Sequence, residues 1–216
     1  TYAQETMNGF EYAAAIQMIQ SGLVREGVKA VVAIRHRYDG ERRNPWNEFE
    51  CGSNYARSLA SYALLNAYSG LRFDLVQGLL GFDPVQLPRG RFKCFWSLGM
   101  GWGMLEVGPG RAGVEVRQGK LSLRVLDLPF LWGRPVRRVT LGGQEVAFVQ
   151  EGNCLKLKRP AKLIPGRVLA VQYKKSSDGF FTGMRSATTQ DISPSGLSMR
   201  TPEALAEKIV LKLELA

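Results

Sequence analysis

The spacing of apolar residues changes period partway along the chain. Through the first third it is helical. Phe10, Ala13, Ala14, Ile16, Met18 and Ile19 predict a first helix, with Thr6 as its cap and Ser21-Gly22 as its stop. Val24, Val28, Val31, Val32 and Ile34 predict a second helix over Leu23 to Tyr38, with Gly40 just beyond. A polar loop over residues 41–52 leads to a third, Ala- and Leu-rich, from Ser53 to Ser69 and ended by Gly70. The first and third helices are small or apolar on nearly every side, which calls for partners all round. One amphipathic helix between them cannot satisfy both. The pattern therefore predicts that further helices lie outside this sequence and that Thr1 is a cut in a longer chain.

From Arg91 the period is two. Strands are predicted near 91–98, 102–107, 113–118, 120–126, 135–142, 145–151, 153–158 and 167–174. Gly and Pro fall between them, as at Gly108-Pro109-Gly110, Gly142-Gly143 and Pro165-Gly166, and the spacing suggests an antiparallel sandwich or meander. Residues 175–201 are rich in Ser, Thr and Gly and read as loop or disorder, with Thr201 or Pro202 able to open a last helix. The expected divisions are thus 1–90, helical; 91–175, antiparallel β; and 176–216, a tail with a short helix. No internal repeat is visible.

Composition narrows the class. The 216 residues are 45% hydrophobic and 22% charged, as in globular proteins, which excludes a disordered or collagen-like chain. No apolar run reaches the ~20 residues a transmembrane helix needs. Cys51, Cys94 and Cys154 are odd in number and widely spaced, without a CxxC or Cys/His cluster. They read as three reduced thiols, with no disulfide framework and no metal site, and fit a reducing compartment.

The net charge of +10 is unevenly placed: residues 1–90 hold nine basic and nine acidic residues, so residues 91–216 carry all of it. A basic half invites a nucleic-acid reading. In Lys120-Leu121-Ser122-Leu123-Arg124 and Leu155-Lys156-Leu157-Lys158, however, the basic residues alternate with apolar ones. That alternation describes the wet face of a sheet, and no nucleic-acid motif accompanies it.

Few residues suggest chemistry by themselves. His36, the one histidine, lies between Arg35 and Arg37 at a helix end and reads as a surface residue. Gly99-Met100-Gly101-Trp102-Gly103 lacks the ending and context of a phosphate loop and reads as a turn between strands, while Trp96 and Trp102 beside it read as core. Glu48 and Glu50 are paired carboxylates on one short loop. At that spacing they do not readily straddle a scissile glycosidic bond, and both can serve as charges at a helix entrance.

Two longer runs carry more. Glu5-Thr6-Met7-Asn8-Gly9-Phe10-Glu11-Tyr12 and the stretch from Arg37-Tyr38-Asp39-Gly40 through Asn44-Pro45-Trp46-Asn47-Glu48-Phe49-Glu50-Cys51-Gly52-Ser53-Asn54-Tyr55-Ala56-Arg57-Ser58 resemble the C-terminal end of the catalytic domain in glycoside hydrolase family 116. These are β-glucosidases and non-lysosomal glucosylceramidases. Gly78-Leu79-Leu80-Gly81-Phe82-Asp83-Pro84, Phe95-Trp96-Ser97 and Gly101-Trp102-Gly103 continue the resemblance, which is strong over the first 90 residues and loose over 104–175.

The resemblance implies an α+β fragment: the last helices of an (α/α)6 barrel followed by an antiparallel β region. It implies a retaining β-glycosidase whose Glu nucleophile and Asp acid/base lie upstream of this sequence. No cofactor and no catalytic residue within the chain are implied, and the fragment alone is expected to be inactive. The expected partners are a β-glucoside or related glycoside and the upstream part of the same polypeptide, with no nucleic acid. Carried over by position, Glu48 and Arg57 would hold the sugar hydroxyls. A carboxylate accepts two hydroxyls and a guanidinium donates through a rigid fork. The rival expectations are a non-catalytic carbohydrate-binding β-module, which would need exposed aromatics on its sheet, and a basic nucleic-acid-binding protein.

Overall fold

The computed structural model describes residues 7–44 and 57–175. These fall into two units, one of residues 7–44 with 57–67 and one of residues 68–175.

In the first unit, α1 (Asn8–Gln20) and α2 (Val24–Arg37) form a hairpin. The turn between them is closed by backbone bonds from Gly22 to Ile19 and from Leu23 to Met18, which satisfy the last carbonyls of α1. Tyr12 of α1 is buried with Ile34 and Tyr38, and Ile16, Val31, Ala60 and Leu64 pack around them. The Arg37 guanidinium donates to the Glu11 carboxylate across the hairpin. Both helices lie where the apolar spacing places them. Thr6 is outside the described residues, and Met7, at the cap position, makes no side-chain cap bond.

The helical expectation fails in two ways. The single helix predicted from Ser53 to Ser69 is, in its described part, a 3₁₀ segment (Arg57–Tyr62) running into the short α3 (Ala63–Ser69). Ser58 and Ser61 fall in the 3₁₀ turn, and serine weakens a regular helix by offering the backbone rival hydrogen bonds. Leu59, Tyr62 and Leu65 of this segment are exposed. More broadly, the expected (α/α)6 barrel layer is absent from the described residues. They hold three α-helices, the longest of 14 residues, and far more strand than helix. The α+β fragment class is therefore replaced by a predominantly β architecture.

The second unit consists of two sheets. One contains β1 (Arg72–Asp74), β2 (Leu79–Gly81), β6 (Leu121–Asp127), β10 (Cys154–Leu163) and β9 (Phe148–Glu151), in the order β1-β2-β6-β10-β9. The other contains β3 (Phe92–Leu98), β4 (Gly101–Gly108), β5 (Arg111–Gly119), β11 (Leu169–Tyr173), β7 (Val136–Leu141) and β8 (Gln144–Glu145), in the order β3-β4-β5-β11-β7-β8. All pairs are antiparallel except β2 with β6. Leu121, Leu123, Leu126, Leu155 and Leu163 of the first sheet share one buried cluster with Leu105, Val114, Val116, Leu169 and Val171 of the second. Ser122, Arg124, Lys156 and Lys158 alternate with them on the wet side, as the period of two predicts.

Most strands match the predicted ones within a few residues. Two differences have physical causes. The stretch 145–151 is split between β8 and β9, which belong to different sheets, because the chain changes sheet at Val146-Ala147. β1 and β2 were not expected, since three-residue strands carry too little alternation to read. In β10, Leu157 through Pro160 face only Arg124 of β6. Proline, which has no N–H to give, is tolerated inside such an irregularity. The carbonyl of Gly78 takes over Arg124 and Val125 there, accepting from both backbone N–H groups.

Gly103 marks the second irregularity. Trp102 opposes Gln118 and Gly103 opposes Val116, so Arg117 is the extra residue of a bulge. A Cβ on Gly103 would lie 1.7 Å from the carbonyl oxygen of Glu115 and 2.8 Å from the Trp96 ring. The glycine-rich segment is thus a turn and a place of close strand approach. Gly103→Ala should lower stability by about 2 kcal/mol or more, because the clash is with backbone. Gly99→Ala, which meets nothing within 4 Å, should change it by less than about 0.5 kcal/mol. Thermal or urea melts of the two variants check the contrast.

Candidate functional site

Of the two residues assigned to sugar binding, Glu48 lies outside the described residues, as do Glu50 and Cys51. Arg57 is described. It opens the 3₁₀ segment, and its guanidinium carbon sits 4.9 Å from the centre of the Phe10 ring, a cation–π contact. The approach is close because residue 9 is glycine. A Cβ there would stand 2.7 Å from the Arg57 Cβ and 3.2 Å from its carbonyl oxygen. The two separated runs Glu5–Tyr12 and Arg37–Ser58 therefore meet twice, at Gly9-Phe10 against Arg57 and at Glu11 against Arg37.

The chain neighbours of that contact are polar and buried. Asn8 is 1% exposed, and neither atom of its amide has a hydrogen-bond partner among the described residues. The Ser58 hydroxyl, 8% exposed, is in the same state. Buried polar groups without partners are uncommon and costly. The chain neighbours of the Arg57–Phe10 contact thus include an amide able to donate and accept, and a hydroxyl. No sequence signal singled out Asn8 or Ser58; the clue is their lack of partners, which only packing exposes.

His36 is exposed near the end of α2, and its carbonyl accepts from Arg42 at 2.8 Å. Trp96 and Trp102 separate. Trp96 is 2% exposed and part of the core, whereas Trp102 is exposed. The register explains it: Trp96 faces Gly103 and Trp102 faces Ser97, so the two rings emerge on opposite sides of the sheet. On the outer side Trp102 and Phe95 lie 5.7 Å apart, tilted at 42°, and the Trp102 indole donates to Gln118 at 3.1 Å. The expectation that both tryptophans are core therefore holds for one alone.

A third cluster surrounds Asp127 at the end of β6. Its carboxylate, mostly buried, accepts from Arg72 of β1 at 2.9 Å, from the Asn153 amide, and from the Cys154 thiol at 3.6 Å. A carboxylate beside a thiol resembles a nucleophile and its base, but the electrostatics oppose that role. Burial, followed by the Asp127 charge, pushes the Cys154 thiol up from its ordinary range. The thiol stays protonated and acts as a donor. The cluster ties β1, β6 and β10 together. Among the described residues no group of three His, Cys, Asp or Glu side chains could hold a metal ion. No described helix is long and apolar enough to cross a membrane.

Cys94, on β3, is pushed up to about 11 by burial. At pH 8 its thiolate fraction is then ~100-fold below that of a thiol at 9, one factor of ten per unit. In the native protein, alkylation of Cys94 by iodoacetamide should be slower by about that factor than after denaturation, as read by peptide mass analysis. The sign for stability follows. Between pH 9 and 11 the unfolded chain releases this proton and the folded chain keeps it, so the thiol's contribution to stability falls as pH rises through that window.

No family model matches the chain, and no curated protein does. Among solved structures, a β-arabinofuranosidase of glycoside hydrolase family 127 is similar, with 17% sequence identity and a TM-score of 0.35 over 61% of this chain and 22% of that one. The chain thus spans about a fifth of that enzyme's length, and the likeness is a distant one to part of a glycoside hydrolase.

Proposed function

We propose that this chain contributes sugar-binding residues to a retaining β-glycosidase of the family 116 type, whose nucleophile and acid/base lie outside the 216 residues. The observation that carries the reading is the meeting of the two runs of family resemblance. Gly9 and Phe10 from one receive Arg57 from the other, beside the unpartnered Asn8 and Ser58. Sugars present hydroxyls that both donate and accept. An amide, a hydroxyl and a guanidinium form a complementary set. Glu48, nine residues before Arg57 on the same run, supplies the carboxylate acceptor. In this role both charged residues bind and orient the sugar, and bond cleavage is left to carboxylates elsewhere.

A second reading has its own observation. Phe95 and Trp102 form an exposed aromatic pair on the outer face of a sheet, the feature a non-catalytic carbohydrate-binding module requires. Aromatic faces stack on the apolar faces of sugar rings. On this reading residues 68–175 alone would retain a neutral oligosaccharide in affinity electrophoresis, and Trp102→Ala would abolish retention.

The glycosidase reading is tested by kinetics in the longer polypeptide it supposes. Each charged hydrogen bond is worth about 1.5–3 kcal/mol. Glu48→Ala and Arg57→Ala should therefore each lower kcat/KM for an aryl β-glucoside by roughly 10- to 200-fold, and the double variant should be non-additive. Wild-type kcat/KM in both single variants, with unchanged melting, would remove the pair from the sugar site. The 216-residue chain alone should show no turnover of that substrate.

A further inference from the structure

Four cations surround one cleft of about 550 Å³ in the β unit. Arg111 opens β5, Arg137 lies on β7, and Lys174 and Lys175 follow directly on β11. Pro109, Gly110, Gln172 and Tyr173 complete the wall, and no acidic residue lines it. Among the described residues none of the four cations has an ion pair. Other cations of the unit, such as Lys158 and Lys162, are unpaired too, but these four share one cleft that no acid lines. The lining is therefore of one sign, unlike the interspersed charges of an ordinary surface.

The backbone holds these residues in place. The N–H of Tyr173 donates to Gly110 at 3.0 Å and that of Lys174 donates to Pro135 at 3.1 Å, so the segment is pinned from both sides. The Tyr173 hydroxyl is buried and donates to Gly108 at 2.9 Å. The charges thus project from paired strands, and together they raise the local positive potential that an anion meets. The volume falls in the range of small-ligand sites, about 300–1,000 Å³.

We propose that this cleft binds a short anionic oligosaccharide, whose carboxylate or sulfate groups meet Arg111, Arg137, Lys174 and Lys175. Charge and cleft size select a compact polyanion. Nucleic acid fits less well: a duplex covers about 1,000 Å² or more of protein, and single strands rely on aromatic stacking. The one aromatic ring here, Tyr173, is buried with its hydroxyl engaged. Guanidinium groups suit carboxylate and sulfate through paired N–H donors, and the Gln172 amide can serve a sugar hydroxyl. The choice of a saccharide rests on the glycosidase reading; the choice of an anion does not.

Isothermal titration of the full chain at low salt tests this, with a sulfated tetrasaccharide, a tetragalacturonate and a neutral cellotetraose as probes. One or both acidic probes should bind, and cellotetraose should not bind at this cleft. The comparison between sulfated and carboxylated probes identifies the anionic group. The double variant R111Q/R137Q should melt normally, weaken binding about tenfold or more, and flatten its salt dependence. Failure of both acidic probes to bind, or binding unchanged in R111Q/R137Q, overturns the site. Inorganic tripolyphosphate or a single-stranded oligonucleotide binding more tightly than either acidic sugar, with the same loss in R111Q/R137Q, overturns the saccharide assignment. These variants do not touch Glu48 or Arg57, so loss of one proposal is read separately from loss of the other.

Discussion

The exclusion of water between the two sheets is the constraint on which the β unit depends. Leu105, Leu123, Leu126, Leu155, Leu163, Val114, Val116 and Val171 are all but fully buried there. Each such side chain is worth about 1.5–3 kcal/mol when taken from water. With the inner positions committed to this seam, the outer positions are free to be Lys, Arg, Glu and Gln. The basic character of residues 91–175 is largely a by-product of that division. The exceptions are places where outer residues do something besides stay wet: the Phe95–Trp102 pair and the cations around Arg111.

The helical unit is organised by polar contacts as much as by burial. Its apolar cluster is small, centred on Tyr12, Ile34 and Tyr38. The Glu11–Arg37 ion pair and the stacking of Arg57 on Phe10 supply geometry that so small a core cannot. Arg57 is held by its alkyl chain and by its planar face at once. A lysine could not make the same contact.

How far the sequence was legible follows the range of each interaction. The α1–α2 hairpin and most strands depend on local periodicity, and Leu121, Leu123 and Leu155 point inward as their alternation indicates. Features set by pairing between distant segments were hidden. The opposite fates of Trp96 and Trp102 follow from the register of β3 on β4, and β1 and β2 exist because β6 offers β2 a free edge. The barrel expectation came from the family resemblance, whereas the described residues are dominated by strands and hold no barrel layer. At the candidate site, Arg57 was singled out by resemblance alone, while the bare amide of Asn8 and the convergence of Arg111, Arg137 and Lys174 became visible only in three dimensions.

The chain crosses between the sheets repeatedly. It builds β1 and β2 in one, β3 to β5 in the other, returns for β6, leaves for β7 and β8, returns for β9 and β10, and ends with β11. The parallel partners β2 and β6 are separated by the whole of β3, β4 and β5. Neither sheet is therefore a contiguous piece of polypeptide. A ribosome cannot finish one before the other, and β5 waits for its partner β11 until residue 169 has been made. For the protein engineer the same topology sets β1 to β11 as the transplantable span, because trimming its start strips β6 of β2 in one sheet and trimming its end strips β5 and β7 of β11 in the other.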